Sequence, residues 1–280
     1  MDKNSQPLIS EAGQTGQYPD LLADETETSH HSQLETVTSN FSNMMRKSQH
    51  YSHSQIETLA TNLLKELWQK REQIWGWTPS DPTIVIEPAK GLELLGFSLF
   101  YEEDLGFYCS DRGDVKTAGV INSETKSVHI SKQFPENTRL FTAAHELGHA
   151  LLHDTSRSFH RDRPFNGEAM SREQIELEAD KFATFFLMPA KLVKSRFVEL
   201  FGTDNFSLTE ESAFALSCSS LMDMKKTHKT LRNISRLLAG TKSYGGRNFH
   251  SLADQFRVSV EAMAIRLEEL ALIERPTYRS

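Results

Sequence analysis

The run Phe141-Thr-Ala-Ala-His-Glu-Leu-Gly-His-Ala-Leu-Leu-His153 sets His145 and His149 four residues apart, with Glu146 directly after the first. On a helix both imidazoles leave the same face one turn apart. Two ring nitrogens so placed can hold one Zn²⁺ at about 2.0–2.1 Å each. Glu146 then stands beside the metal rather than on it, where a carboxylate can take a proton from metal-activated water. On its own the pattern also describes an ordinary polar helix face. Its neighbours argue otherwise: Ala143, Ala144, Leu147, Gly148, Ala150, Leu151 and Leu152 are uncharged. The helix is therefore a buried one, and buried polar groups of this kind need a partner such as a metal. Gly148 weakens a helix by about 1 kcal/mol relative to Ala, and its presence is read as a close approach of the sheet or of a substrate backbone.

A catalytic zinc takes three protein ligands and keeps one position open. His153 continues the series but lies about 12 Å along the helix axis from His145, too far to share the ion. It is read as an outer partner or a structural residue near the helix C-terminus, where a His is favoured. The next helix offers the third ligand. Ser171-Arg-Glu-Gln174 reads as a capping box opening a helix that runs to about Leu187, ahead of Met188-Pro189. On it Glu176 and Asp180 are again four apart and share a face. Glu176 supplies the third ligand in this reading, and Asp180 accepts the spare ring N–H of a ligand His, fixing its tautomer. Glu173 and Glu178 are read as solvated, Glu178 pointing about 200° away from Glu176.

Other elements must hold these two helices. Ile56, Leu59, Leu63, Leu64, Leu67 and Trp68 recur at helical spacing, which predicts an amphipathic helix over 55–74. A short helix over about 87–95 leads through Gly96 into segments 97–101, 105–109, 117–121 and 127–130, read as strands of one small sheet. Turn chemistry at Asp111-Arg-Gly-Asp and Asn122-Ser-Glu-Thr separates them. After Pro135 the pattern is helical to the end. The expected class is α+β, with the sheet first and the helices after.

HELGHALLH followed by Glu176-Leu-Glu-Ala-Asp180-Lys-Phe-Ala-Thr-Phe-Phe-Leu-Met-Pro189 resembles the ImmA/IrrE family of bacterial metallopeptidases, and its ExxxD element resembles that of thermolysin-like zinc proteases. The lead-in Arg139-Leu-Phe-Thr-Ala-Ala and the closing Ser251-to-Leu270 stretch are also similar to the family, so the likeness spans roughly 55–200 and 249–275. The resemblance implies zinc, one ion per chain, on His145, His149 and Glu176, with Glu146 as catalytic base and Asp180 behind a ligand. It implies a zinc-dependent endopeptidase whose substrate is a helix-turn-helix transcriptional repressor, in a stress- or mobile-element-linked regulatory role. Mn²⁺ or Fe²⁺ also suits a His₂Glu site. An oxyanion partner is not identifiable; His160 and Tyr244 are candidates by position alone.

The rest of the chain departs from that pattern. Hydrophobic residues make up 38% of 280, below the roughly 45–50% of an average globular chain, and the shortfall lies at the N-terminus. Residues 1–40 hold seven acids and one base, so 1–54 is expected to be a disordered tail. His30, His31, His50 and His53 are read as polar tail residues rather than a metal tract. The expected organisation is a zincin-like domain over 55–202, a basic insertion over 203–248, and a helix-turn-helix-like pair over 249–280.

A net charge of −7 argues against coating nucleic acid, and two cysteines cannot build a disulfide framework. No apolar run reaches the roughly 18 residues of a membrane span, and the first residues lack a signal-peptide core. A cytoplasmic protein is expected. A second reading comes from the C-terminal third. Lys225, Lys226, Lys229, Arg232, Arg236, Lys242 and Arg247 occur without an acid between them, and a basic stripe can follow phosphates. With the helical pair after it, the chain could be a DNA- or repressor-binding regulator whose metal site is structural. Glu261, Glu268 and Glu269 would repel DNA, so direct nucleic-acid binding is not expected.

Overall fold

A computed structural model describes residues 50–110, 113–153, 169–217 and 220–275. The expected tail falls almost wholly outside them, as does His160.

Helix α1 (His53–Gln69) starts two residues ahead of the expected position because Ser52 and Gln55 form a reciprocal capping box: the Gln55 N–H donates to Ser52 Oγ and the Ser52 N–H to Gln55 Oε1. Its apolar stripe buries Ile56, Leu59, Ala60, Leu63, Leu64 and Leu67. It stops short of the expected end, since Lys70 leaves helical geometry, and the chain resumes as the single turn α2 (Arg71–Trp75). A 3₁₀ turn capped by Asp81 and helix α3 (Pro88–Leu94) follow. Gly96, at φ +79°, then turns the chain into the sheet.

The sheet differs from the single one expected. Strands β1 (Ser98–Glu102), β4 (Gly119–Asn122) and β5 (Ser127–Ser131) form a mixed sheet ordered β1-β5-β4, with β1 parallel and β4 antiparallel to β5. β2 (Phe107–Ser110) pairs with β3 (Gly113–Lys116) as a separate hairpin. β3 takes in Gly113 and Asp114, expected as part of a turn because Gly and Asp suggest chain reversal rather than pairing. Val128 and Ile130 of β5 are fully buried, and Gly119 of β4 lies against Thr142 and Glu146. The sheet thus rests on helix α4 (Glu136–Leu152).

Helix α5 (Ala169–Leu187) crosses α4. It is already helical at Ala169, so Ser171 stands inside it and is not the expected N-cap. Then come α6 (Ala190–Phe201), α7 (Glu210–Ser217), α8 (Leu221–Thr227), α9 (Leu231–Gly240), a two-residue ladder of β6 (Ser243–Tyr244) with β7 (Arg247–Asn248), α10 (Leu252–Gln255) and α11 (Val260–Glu269). Ser251 and Ser259 cap the last two helices, and Leu252, Phe256, Met263 and Leu267 join the same apolar core as α1 and α4. The sequence and structure agree on an α+β protein. No helix among the described residues is long and apolar enough to cross a membrane.

Candidate metal centre

Helix α4 carries His145 and His149 on one buried face, their rings 4.6 Å apart between centroids. Their Nε2 atoms approach to 3.0 Å. The Glu176 carboxylate of α5 closes the group, with Oε2 at 3.2 Å from His145 Nε2 and Oε1 at 3.5 Å from His149 Nε2. Tetrahedral coordination with bonds of about 2.0–2.1 Å puts neighbouring ligand atoms about 3.3 Å apart, close to all three spacings. The side chain of Glu176 is 44% exposed while both imidazoles are buried, so the cluster is closed by protein on one side and open on the other.

Donor chemistry fits a cation as well as spacing does. His145 Nδ1 lies 2.8 Å from Asp180 Oδ1; a carboxylate there can only accept, so Nδ1 carries a proton and Nε2 is the nitrogen left to face the cluster. Burial pushes the His145 imidazole down, but bonds to Asp180 and Glu176 and the nearby Glu146 charge outweigh it and raise the group to about 9. Burial pushes the Glu176 carboxyl up, yet the two imidazoles hold it well below the usual range. Both shifts describe a site that favours positive charge among His145, His149 and Glu176, the three residues whose ligand atoms all lie within 4.8 Å of one another.

Helix contact explains how a carboxylate from α5 reaches α4. A Cβ at Gly148 would meet Phe182 Cβ at 3.1 Å and the Ala179 backbone at 3.2 Å. The close approach read from this glycine is therefore to α5, not to the sheet or a substrate. Glu146 points the other way, 4% exposed, with Oε1 3.0 Å from where a Cβ on Gly119 would stand.

Glu178 is the main correction. The helical wheel placed it in solvent; it is 3% exposed, accepting the Tyr51 N–H on Oε1 at 3.0 Å and facing His153 Nε2 with Oε2 at 3.2 Å. The wheel treats α5 in isolation, whereas the entry to α1 and the end of α4 cover that side. A signal was available, since Glu178, Phe182 and Phe185 fall at i, i+4 and i+7 on an apolar stripe. His153 does not join the ligand atoms; its Nδ1 lies 3.0 Å from His149 Nδ1. Tyr244 packs edge-on against Phe201 and Phe206 in an aromatic cluster.

The basic stripe is largely engaged within the molecule. Arg232 binds Glu261 and Glu268, Arg236 binds Glu261, Lys242 pairs with Asp254, and Arg247 donates to the Leu200 carbonyl. Two of the three acids expected to repel DNA, Glu261 and Glu268, are thus partners that neutralise part of the stripe.

Residues 96–215, from the threshold of β1 to within α7, match the Peptidase_M78 family model, described as the IrrE N-terminal-like domain. No curated protein matches the chain.

Proposed function

We propose that this chain, whose residues 96–215 match the Peptidase_M78 model described as the IrrE N-terminal-like domain, is a zinc-dependent endopeptidase with its centre on His145, His149 and Glu176. The convergence of two imidazole nitrogens and one carboxylate at near-tetrahedral spacing supports this reading above any other observation. Zinc held there would supply Lewis acidity, lowering the pKa of water at its open position towards about 7 and polarising the scissile carbonyl.

The protein's own residues do the rest. Asp180 holds His145 in the tautomer that offers Nε2. Glu146 takes a proton from the attacking water and returns it to the leaving amine; its burial beneath β4 limits its side chain to few positions. β4 closes one end of the β1-β5-β4 order, so an extended peptide can add beside it by backbone pairing and present its carbonyl near Glu146. The resemblance supports a helix-turn-helix transcriptional repressor as substrate.

The test is a substrate trap. Glu146→Gln should keep its metal, lose peptide-bond hydrolysis by several orders of magnitude and retain its repressor on pulldown. Loss of metal together with activity would remove Glu146 from the role of base. Hydrolysis unaffected by Glu146→Gln would overturn the reading altogether.

A further inference from the structure

We propose that Glu178 is a positioning residue for the metal ligand His149, acting through His153, and that it ties this ligand to Tyr51 where the chain enters α1. The inference rests on the metal-centre reading above.

The hydrogen bonds fix their own direction. If His149 offers Nε2 to a metal, its ring proton sits on Nδ1, and the atom facing it at 3.0 Å is His153 Nδ1, which must accept. His153 then carries its proton on Nε2, 3.2 Å from Glu178 Oε2, a carboxylate oxygen that can only accept. The chain of donors runs one way, from His149 to His153 to Glu178, and each member determines the tautomer of the one before. The other carboxylate oxygen is held by the Tyr51 N–H at 3.0 Å and by Gln174 Nε2 at 3.2 Å. A carboxylate 3% exposed with donors on both oxygens has little freedom to rotate. His153 is tethered from its own side too, because its N–H donates to the His149 carbonyl at 3.1 Å as α4 ends.

This arrangement mirrors the one on the other imidazole. Asp180 serves His145 directly, while Glu178 serves His149 with one imidazole interposed. The two carboxylates lie on the same helix that supplies Glu176, so α5 orients both histidines as well as completing the ligand set. Glu178 touches neither metal nor substrate, and it differs from a merely structural acid in what its removal changes.

The experiment measures metal affinity by chelator competition and reads the visible absorption bands of the Co²⁺-loaded protein, which report the ligand field at His149. Glu178→Gln replaces one carboxylate oxygen by an amide nitrogen, which donates and cannot accept, so the side chain can no longer accept from both His153 and Tyr51. It should weaken metal binding by about 10–100-fold and shift the cobalt bands. His153→Ala should do the same, and the double variant should be no weaker than the poorer single one, because both act on one path. Affinity within twofold of the parent and unchanged bands in Glu178→Gln would overturn the proposal, as would factors that multiply in the double variant. Melting of the metal-free proteins by circular dichroism shows whether each folds; if Glu178→Gln does not, Glu178→Asp, which keeps the charge and shortens its reach, carries the same comparison. A parent that binds no metal, or a His149→Ala variant that keeps it, overturns the metal reading itself, and is distinguishable from a parent that binds metal indifferently to Glu178.

Discussion

Gly148 of α4 and Ala179 of α5 meet backbone to backbone: a side chain on the glycine would begin 3.2 Å from the Ala179 Cα and carbonyl oxygen. The contact lies one residue before His149 and three after Glu176, so the separation of the two helices there sets the distance from imidazole to carboxylate. An arrangement of ligands from two helices is only as good as the crossing that brings them together.

Gly148→Ala should therefore weaken the site without unfolding the protein. Alanine gains about 1 kcal/mol of helix propensity, while crowding against backbone costs about 1–3 kcal/mol. The melting temperature should fall slightly or hold, and metal affinity should fall by roughly tenfold. Chelator competition and thermal melting on the same sample check both. A higher melting temperature with full affinity would mean that α5 moves freely and the crossing does not set the ligand spacing.

Gly119→Ala acts on the opposite side of α4. Its Cβ would overlap Thr142 Cγ2 and stand 3.0 Å from Glu146 Oε1 and from Ile130 Cδ1, so Thr142 must shift and the other two must give. Metal content should be unchanged, because none of these neighbours is a ligand. Peptide cleavage should fall by roughly 10–100-fold, as small displacements of a reacting group do. Adding Thr142→Ser removes the clashing methyl and should recover stability while leaving cleavage low. Recovery of both would place the whole effect in packing and none in Glu146.

The shared face of His145 and His149 was legible because i, i+4 geometry is local: nothing beyond α4 decides it. The shared face of Glu176 and Asp180 was legible for the same reason. Glu178 was not, since its environment comes from Tyr51, more than a hundred residues earlier, and from the end of α4. The pairing of β1 with β5 is nonlocal too. It joins Ser98 to Ser127 across an intervening hairpin, and alternation within either strand carries no information about its neighbour. The C-terminal caps Ser251 and Ser259 lie beside the helices they cap and could be read directly.

Arg266 fastens the last helix to the end of α5. It is 3% exposed, donates Nε to the Met188 carbonyl at 3.0 Å, reaches Glu57 and Glu269, and lies 4.9 Å from the centre of the Phe185 ring. Arg266→Met should cost about 2–4 kcal/mol by orphaning that carbonyl and breaking the ion pairs. Burial pushes the Glu269 carboxyl up, but Lys181 and Arg266 hold it below its ordinary value. A lowered folded-state value gives stabilisation that is full above the unfolded value, about 4.3, and is lost as pH falls through the folded one. The difference in melting temperature between parent and variant should thus narrow from neutral pH to about pH 3 without closing, since the Met188 contact is independent of pH. A gap that widened in acid would show that Arg266 acts mainly on something other than these carboxylates.

The two carboxylates facing the imidazoles should fail differently. Glu176→Gln exchanges a charged ligand for a neutral amide, a poor donor for Zn²⁺, and should lose most of the bound metal. Asp180→Asn leaves all three ligand atoms in place but lets its amide present an N–H to His145 Nδ1, at 2.8 Å in the parent. The ring can then shift its proton to Nε2, the atom needed for the metal. Affinity should drop by about 10–100-fold while saturating metal still gives one ion per chain. Metal analysis after dialysis separates the variants, and titration of the stripped proteins ranks them. If Asp180→Asn emptied the site at saturating metal while Glu176→Gln stayed loaded, the carboxylate nearest the metal would be Asp180. The 3.2 and 3.5 Å approaches of Glu176 to the two Nε2 atoms would then be a salt bridge beside the metal rather than part of its coordination.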